Sequence, residues 1–531
     1  MEPILFLPSL RLTACSLLAA LMVATGATAD QTTPAPVPVA GPVLAAPTEF
    51  SFDILAARAA ALARQSYVPT PVQHPEVLEK IDYDAHWRIR FRPEATVHVG
   101  GIPVQFFHLG TYFRQPVKMY VVKGASAQEV VYAPSYFDIP EDSPARKLGH
   151  DAGFAGFRLM RPDLKSDWIS FLGAAYFRSE GALRQYGMSA RATAVNTGLS
   201  APEEFPRFTE FYIEEAPDGR AIINALLDSP SLTGAYRLVI RHEEGKGQVM
   251  DIQSRLYFRA PVERLGIAPL TSMYWYSESN RFQSSDWRPE VHDTDGLMIA
   301  TGAGEHIWRP LNNPDRVVTS SYFDKDPKGF GLIQRDRDFN DYQDDGVFYD
   351  KRPAVWVEPT SPWGAGAVQL VEIPTSDEVF DNIVTFWSPE KTPQPGDEMR
   401  FDYRLHWTAT PPVEMQLAKT VATRIGNGGV PGQPRPKDLI KVVLDFDGPA
   451  LVGLKQGDGV TPEISAPAGV EIVNPYVLPI VGTDRWRLVF DVKAAPGTET
   501  SDLRVYLSRE GAPLTETWLG QLHPDQINRL R

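Results

Sequence analysis

Three carboxylates lie within five positions at residues 377–381, where Asp377, Glu378 and Asp381 stand between two apolar runs. Crowded carboxylates raise one another's pKa, and a carboxyl group that stays protonated near neutral pH can act as an acid. Spacing alone makes the three nearly equal candidates. The same cluster is also typical of a solvated acidic loop.

The middle of the chain interleaves aromatic and charged residues with Gly, Pro and Asn, at residues 287–293, 307–314 and 334–339. A sugar presents apolar C–H faces and hydroxyl edges. Its binding sites therefore combine aromatic platforms with Arg, Asp, Asn and Glu side chains that fix its orientation. This composition indicates a carbohydrate groove, although a tryptophan in a β-sandwich is more often a core residue.

Other kinds of site lack their sequence motifs. The ten His residues are scattered without an H-E-x-x-H pattern, and Cys15 is the only cysteine, so no zinc or other metal site is expected. His292, beside Asp293, is interpreted as a hydrogen-bonding partner rather than a metal ligand. There is no Walker loop, nucleophile elbow or dinucleotide fingerprint, and we expect no cofactor.

The first residues predict export. Residues 12–26 carry no charge and precede Ala27-Thr28-Ala29, an A-x-A cleavage pattern, so residues 1–29 are predicted to be a secretory signal peptide cleaved before Asp30. About fifteen apolar residues are short for a membrane span of roughly twenty. Cys15 is lost with this signal, and export without disulfides indicates the bacterial periplasm. Residues 30–48, rich in Pro and Ala, are predicted to be a tether.

The net charge is −14. Nucleic acids and anionic lipids are bound through basic surfaces, so this charge argues against both as partners.

Local patterns predict an all-β protein. Apolar and charged residues alternate at residues 87–92, 255–259 and 485–490, and 47 Pro and 40 Gly leave little room for long helices. One early helix is predicted over residues 54–64 with Asp53 as its N-cap. Pro- and Gly-rich residues 409–436 mark a boundary between a large β-sandwich, residues 49–410, and a small immunoglobulin-like sandwich, residues 418–526.

Several long motifs occur in one order along the chain. They lie at residues 151–157, 171–178, 204–208, 226–236, 268–273, 307–314 and 374–387. On these motifs the chain resembles the periplasmic glucan biosynthesis protein G and D family, which is involved in osmoregulated periplasmic glucans. The resemblance runs from about residue 50 to Pro524. It implies a large sandwich resembling galactose mutarotase, followed by an immunoglobulin-like domain.

The resemblance also implies inverting glycoside chemistry on β-1,2-linked glucan. An inverting enzyme needs one protonated carboxyl group at the leaving oxygen and a carboxylate that activates water from the opposite face. The family's acid matches Asp381 and its base matches Asp293, with Glu378 and Tyr349 in supporting positions. Without the resemblance, Asp293 competes with other acidic residues, namely Asp295, Asp336, Asp338, Asp344 and Asp345.

Two further expectations concern the surroundings of these residues. Glu378 is expected to hold Asp381 protonated through its negative charge. Seven side chains are candidates for substrate binding because they lie near the matched motifs in sequence: Trp308, Arg309, Arg352, Trp356, Trp387, Arg288 and His292.

The predicted protein is therefore a periplasmic enzyme that hydrolyses β-1,2-glucan or transfers its chains, with cyclisation as one outcome of transfer. Its predicted partner is a β-glucan polysaccharide. The alternative is a non-catalytic glucan-binding scaffold that assists a membrane glucan synthase. The sequence leaves the oligomeric state open.

Overall fold

The computed structural model describes residues 41–243, 245–436, 438–494 and 500–523. Strands dominate these residues, and the predicted all-β class is confirmed. The predicted signal peptide and residues 30–40 of the predicted tether lie outside the described residues. In the described ranges the longest helix has 12 residues, and no helix is long and apolar enough to cross a membrane.

The described part of the chain has four α-helices: α1 Phe52–Ala63, α2 Pro75–Leu78, α3 Tyr83–Trp87 and α4 Phe339–Tyr342. Helix α1 begins two residues earlier than predicted, because Ser51 caps it by accepting a hydrogen bond from the Ile54 backbone N–H at 3.2 Å. Asp53, the predicted cap, forms an ion pair with Arg255 instead.

The strands are short to medium in length and follow one another closely along the chain. The first half contains β1 Thr48–Glu49, β2 Arg90–Phe91, β3 Val97–Val99, β4 Ile102–His108, β5 Lys118–Lys123, β6 Ser126–Glu129, β7 Phe137–Asp138, β8 Phe154–Met160, β9 Asp167–Leu172, β10 Tyr176–Ser179, β11 Ser189–Arg191, β12 Thr193–Val195, β13 Arg207–Glu215, β14 Ala221–Asp228, β15 Leu232–Glu243, β16 Gly247–Phe258 and β17 Leu265–Ser272. The second half contains β18 Tyr274–Tyr276, β19 Val291–His292, β20 Gly296–Ala300, β21 His306–Pro310, β22 Val318–Lys325, β23 Gly329–Ile333, β24 Ala354–Pro359, β25 Ala365–Glu372, β26 Ile383–Pro389, β27 Glu398–Thr408, β28 Lys419–Asn427, β29 Leu439–Asp447, β30 Val460–Ser465, β31 Val470–Pro479, β32 Trp486–Ala494, β33 Ser501–Arg509, β34 Ala512–Pro513 and β35 Thr517–Leu522.

One predicted strand is much shorter than expected, because its first residue, Trp87, belongs to a helix. Asp82 accepts a hydrogen bond from the Ala85 backbone N–H at 2.9 Å and so begins α3, which ends at Trp87. Only Arg90–Phe91 of the predicted strand 87–92 is paired. The strands predicted at 255–259 and 485–490 fall mainly within β16 and β32.

Two large sheets form a sandwich. The first has 16 strands in the order β1-β6-β5-β13-β14-β15-β16-β27-β24-β23-β20-β21-β35-β33-β30, with β34 beside β33. The second has 11 strands in the order β22-β25-β26-β17-β11-β10-β9-β8-β4-β3, with β12 beside β17. Aromatic side chains meet between them: the rings of Phe171 and Phe211 lie 5.5 Å apart at their centroids.

The C-terminal strands form a smaller unit that shares its core with the large sandwich. Strands β28, β29, β32 and β31 form a separate four-stranded sheet, whereas β35, β33 and β30 extend the 16-stranded sheet. The junction is the parallel pairing of β35 with β21, in which Trp518 is opposite Trp308. One hydrophobic cluster contains Trp308 and Trp356 together with Phe446 and Trp486. The domain bounds 49–410 and 418–526 stay a prediction, and residues 524–526 lie outside the described residues.

Part of the predicted tether lies along a sheet edge. The Ala45 backbone N–H donates to the Glu129 carbonyl at 2.8 Å, and Thr48–Glu49 pair with β6. Strand edges present unpaired backbone groups, so an extended, Pro-rich segment can add to them.

We expect Trp518→Ala to destabilise the protein by about 3–5 kcal/mol, because it empties space in the shared core. Trp518 is 2 % exposed, and its Nε1–H donates to the Thr423 hydroxyl at 3.1 Å. Denaturant unfolding followed by circular dichroism measures the change. Trp287→Ala is the matched control, because Trp287 is 69 % exposed. Equal effects of the two substitutions would contradict the shared core.

Candidate active site

A short backbone segment, residues 272–274, holds the two candidate catalytic carboxylates together. Asp293 directly follows β19, and its backbone N–H donates to the Met273 carbonyl at 2.8 Å. Asn382 directly precedes β26, and its backbone N–H donates to the Ser272 carbonyl at 3.1 Å. Asp381 precedes Asn382, so two carboxylates 88 positions apart in the chain, Asp293 and Asp381, are held at one place.

Asn382 fixes the end of the acidic loop. Its side-chain oxygen accepts from the Tyr274 backbone N–H at 2.8 Å, and its side-chain N–H groups donate to the carbonyls of Tyr274 and Ile373, each at 2.9 Å. Asn382 is 1 % exposed. A buried amide with its hydrogen bonds satisfied defines the local backbone, and so the position of Asp381.

Asp293 is buried and paired with an arginine. Arg352 Nη1 lies 2.8 Å from Asp293 Oδ1, and the Arg352 guanidinium lies over the Tyr349 ring, 4.7 Å from its centroid. Burial raises the pKa of Asp293, and the charges of Arg352 and His292 oppose that rise. Arg352 therefore favours the ionised form of a carboxylate that water hardly reaches.

Asp381 is partly exposed, and its pKa is raised to about 7. The largest cause is burial of the carboxyl group, followed by repulsion from the negative charge of Asp293; the charges of Arg178, Arg352 and Arg191 act in the opposite direction. A substantial fraction of the Asp381 carboxyl groups is therefore protonated at neutral pH. This is the state that a general acid needs.

Glu378 interacts with Tyr349 and Arg288 and, contrary to the expectation from the sequence, is not the main charge acting on Asp381. Its Oε2 accepts a hydrogen bond from the Tyr349 hydroxyl at 2.5 Å and lies 2.8 Å from Arg288 Nη1. Arg288 also pairs with Asp344 at 2.7 Å. The charge that most strongly raises the pKa of Asp381 is that of Asp293, not that of Glu378. Glu378 instead holds Tyr349 and Arg288 in place.

The structure brings in groups that were not selected from the sequence. Arg178 on β10 and Arg191 on β11 act electrostatically on Asp381. The sequence pointed to Arg178 only as the last residue of the matched motif 171–178. Two aromatic side chains next in sequence to site residues are exposed: Phe380, before Asp381, is 37 % exposed, and Trp287, before Arg288, is 69 % exposed.

Of the seven predicted substrate-binding residues, only Arg288 and Arg352 form ion pairs with carboxylates of the candidate site. Arg288 pairs with Glu378, and Arg352 pairs with Asp293. Three tryptophans pack over glycines of neighbouring strands, where a Cβ would lie within 2.5 Å of a ring carbon; the pairs are Trp308 with Gly296, Trp356 with Gly329 and Trp387 with Gly366. These three side chains are at most 4 % exposed. They offer a sugar no surface in this structure and are not part of the site proposed below.

The remaining two candidates are also buried. Arg309 is 2 % exposed and pairs with the buried Glu372 at 2.9 Å, which is a structural contact. His292 is fully buried, and its Nε2 lies 2.8 Å from Glu290 Oε2. Neither side chain reaches the surface in this structure, and each is engaged by a buried carboxylate.

An all-β chain that holds a partly protonated carboxyl group beside a buried carboxylate–arginine pair has the groups that acid–base catalysis requires. Comparison with known proteins gives the family. The family model described as "Periplasmic glucan biosynthesis protein, MdoG" matches residues 50–522. The chain belongs to this family.

Individual relatives agree with this family over nearly the whole chain. "Glucans biosynthesis protein D 2" of Ralstonia nicotianae is 49% identical over 496 residues, which cover 90% of this chain and 91% of the relative. "Glucans biosynthesis protein D" of Xylella fastidiosa is 48% identical over 90% of each chain. The protein of that name from Xanthomonas campestris pv. campestris is 46% identical over 91% of this chain and 92% of its own.

We expect Arg352→Met to destabilise the protein by about 3–5 kcal/mol at neutral pH, because it leaves Asp293 buried without its ionic partner. Chemical denaturation measures the loss. The matched control is Arg88→Met: Arg88 pairs with Asp142, and both side chains are more than half exposed. This control should leave the unfolding midpoint unchanged within error. An equally small effect at Arg352 would show that Asp293 does not depend on the pair.

Proposed function

We propose that this protein is a periplasmic enzyme that cleaves or transfers β-1,2-linked glucan chains with inversion at the anomeric carbon. The observation that carries the proposal is the partly exposed Asp381, with a pKa of about 7, beside the buried Asp293. The family's description and the names of its relatives support a role in periplasmic glucan biosynthesis.

In the proposed reaction, Asp381 donates a proton to the glycosidic oxygen as the bond to the anomeric carbon breaks. Asp293 accepts a proton, directly or through an intervening hydroxyl group, from the nucleophile that attacks the opposite face of the sugar. The arrangement gives the two carboxyl groups different environments: Asp381 reaches solvent, whereas Asp293 is 3 % exposed and paired with Arg352. Groups in such different environments can divide the acid and base roles.

Tyr349 and Glu378 have supporting roles in this proposal. The Tyr349 ring lies under the Arg352 guanidinium, and its hydroxyl donates to Glu378. Tyr349 therefore joins the base's partner to the Glu378–Arg288 pair. In this proposal Tyr349 orders the attacking water or sugar hydroxyl. Burial, together with the negative charges of Glu378 and Asp293, raises its pKa and keeps its own proton in place.

Exposed aromatic rings support a sugar as the substrate. Phe380 and Trp287 are next in sequence to site residues and are exposed, and pyranose C–H faces pack on aromatic rings. Hydrolysis and transfer use the same carboxylates and differ only in whether water or a sugar hydroxyl attacks. Incubation of the mature protein with linear β-1,2-glucan separates them: shorter linear chains mean hydrolysis, and rings or new linkages mean transfer.

Asp381→Asn should lower the rate of glucan breakdown or transfer at least 100-fold, because an amide cannot donate the proton. Chromatography of the products of linear β-1,2-glucan measures the rate. Asp377→Asn is the matched control, because Asp377 is exposed and only four positions away; it should retain activity. Full activity of Asp381→Asn would exclude this acid. If the wild-type protein binds glucan but leaves it intact, the non-catalytic scaffold that assists a membrane glucan synthase is the correct function.

The activity should decline as the pH rises through about 7, because Asp381 must be protonated to act and its pKa is about 7. Well above that value, kcat/KM should fall about tenfold per pH unit. The glucan itself has no group that titrates in this range. Initial rates from pH 5 to 9 test this, with Asp377→Asn expected to keep the wild-type profile. A rate that stays constant between pH 6.5 and 9 would contradict Asp381 as the acid.

A further inference from the structure

A second group of ionisable side chains lies at β19 and just after β23, and it does not include the proposed acid. Glu290, His292 and Asp336 each offer one potential ligand atom, and these three atoms lie within 4.8 Å of one another. Glu290 is 6 % exposed and His292 is 0 % exposed. The closest approach is 2.8 Å, between His292 Nε2 and Glu290 Oε2.

A small cavity adjoins this group at the junction with the C-terminal part. It has a volume of about 20 Å³ and is lined by three carboxylates, Glu278, Asp295 and Asp336, and by residues 420–423. A volume of roughly 10–15 Å³ on this measure is enough for one water molecule. There is therefore room beside Asp336 for an ion or for one of its water ligands.

One buried polar atom of this cavity has no hydrogen-bond partner in the described part of the chain. It is the hydroxyl oxygen of Thr420, a residue that is 2 % exposed. Buried polar atoms are nearly always paired in folded proteins. The unpaired hydroxyl indicates a missing component beside Asp336, which lines the same cavity.

The local charge balance is negative. Four carboxyl groups, those of Glu278, Glu290, Asp295 and Asp336, belong to the group or line the adjoining cavity. The nearby Arg335 is already committed to Glu516, at 2.6 Å, and to the face of Trp308. Arg337 donates to backbone carbonyls, including that of Ala409 at 2.9 Å. The excess negative charge must be neutralised by protons or by a bound cation.

We propose that Glu290, His292 and Asp336 bind one divalent transition-metal ion, Zn²⁺ or Mn²⁺. An imidazole nitrogen with carboxylate oxygens suits these ions, whereas Ca²⁺ and Mg²⁺ prefer oxygen ligands only. Ligand atoms 2.0–2.2 Å from an ion lie up to about 4.4 Å apart, so a small closure of the group completes the site. The ion would join β19 to the segment that follows β23, because Glu290 and His292 lie at β19 and Asp336 lies after β23.

Sequence motifs do not reveal such a site. Its three ligands are spread over residues 290–336 and have no H-E-x-x-H spacing, and they meet only because β19 lies beside the chain that follows β23. The role is structural: the ion neutralises charge and links two parts of the chain. The proposal does not depend on the activity proposed for Asp381.

Metal analysis of the purified mature protein tests the site without an activity assay. After dialysis against EDTA and then against buffer, titration with Zn²⁺ or Mn²⁺ should show one ion per chain by calorimetry, and the ion should raise the thermal unfolding midpoint. Asp336→Asn and Glu290→Gln should each weaken binding at least tenfold, because each removes a charged ligand. Asp345→Asn is the matched control: Asp345 is exposed and lies outside the group, so its affinity should equal that of the wild type.

Three results would overturn the proposal. The first is absence of binding of both ions to the wild-type protein at micromolar concentrations. The second is binding that persists unchanged in both ligand variants. The third is equal or tighter binding of Ca²⁺ or Mg²⁺, which would exclude a histidine ligand. The wild-type titration decides the matter even if one variant does not fold.

Discussion

The backbone pairing of residues 272–274 with two other chain segments is the constraint on which the site depends. Met273 accepts from the Asp293 N–H, and Ser272 accepts from the Asn382 N–H. These hydrogen bonds, supported by the buried Asn382 amide, fix the backbone beside the carboxylates at 293 and 381, at the end of β19 and just before β26. A site built on paired strands is held more rigidly than one built on free loops.

Electrostatics then distinguish the two carboxyl groups. Asp293 lies under the surface with Arg352, and its charge and the local burial raise the pKa of Asp381 to about 7. Arg178 and Arg191 oppose this rise, which keeps the pKa within reach of neutral pH. Glu378 contributes differently from the expectation based on its proximity in sequence: it is engaged by Tyr349 and Arg288.

Packing decides the roles of the tryptophans. Trp308, Trp356 and Trp387 each cover a glycine on an adjacent strand, where a side chain would leave no room for the ring. Trp308 and Trp356 also help to form the core that joins the C-terminal strands to the large sandwich. The exposed aromatic residues next in sequence to site residues are instead Phe380 and Trp287. Large aromatic residues stabilise cores and bind sugars by the same apolar faces, so residue type alone does not distinguish these uses.

The sequence by itself determined the all-β class, because strand alternation and frequent Pro and Gly are local properties. Its long motifs also determined the family, and the clustering of Asp377, Glu378 and Asp381 marked one half of the candidate site. Only the tertiary structure decided which groups surround Asp381, which aromatic side chains are buried and how the C-terminal strands join the large sheet. These depend on pairing between strands far apart in the chain, such as β21 with β35, and on the burial that such pairing produces. Local patterns do not encode either.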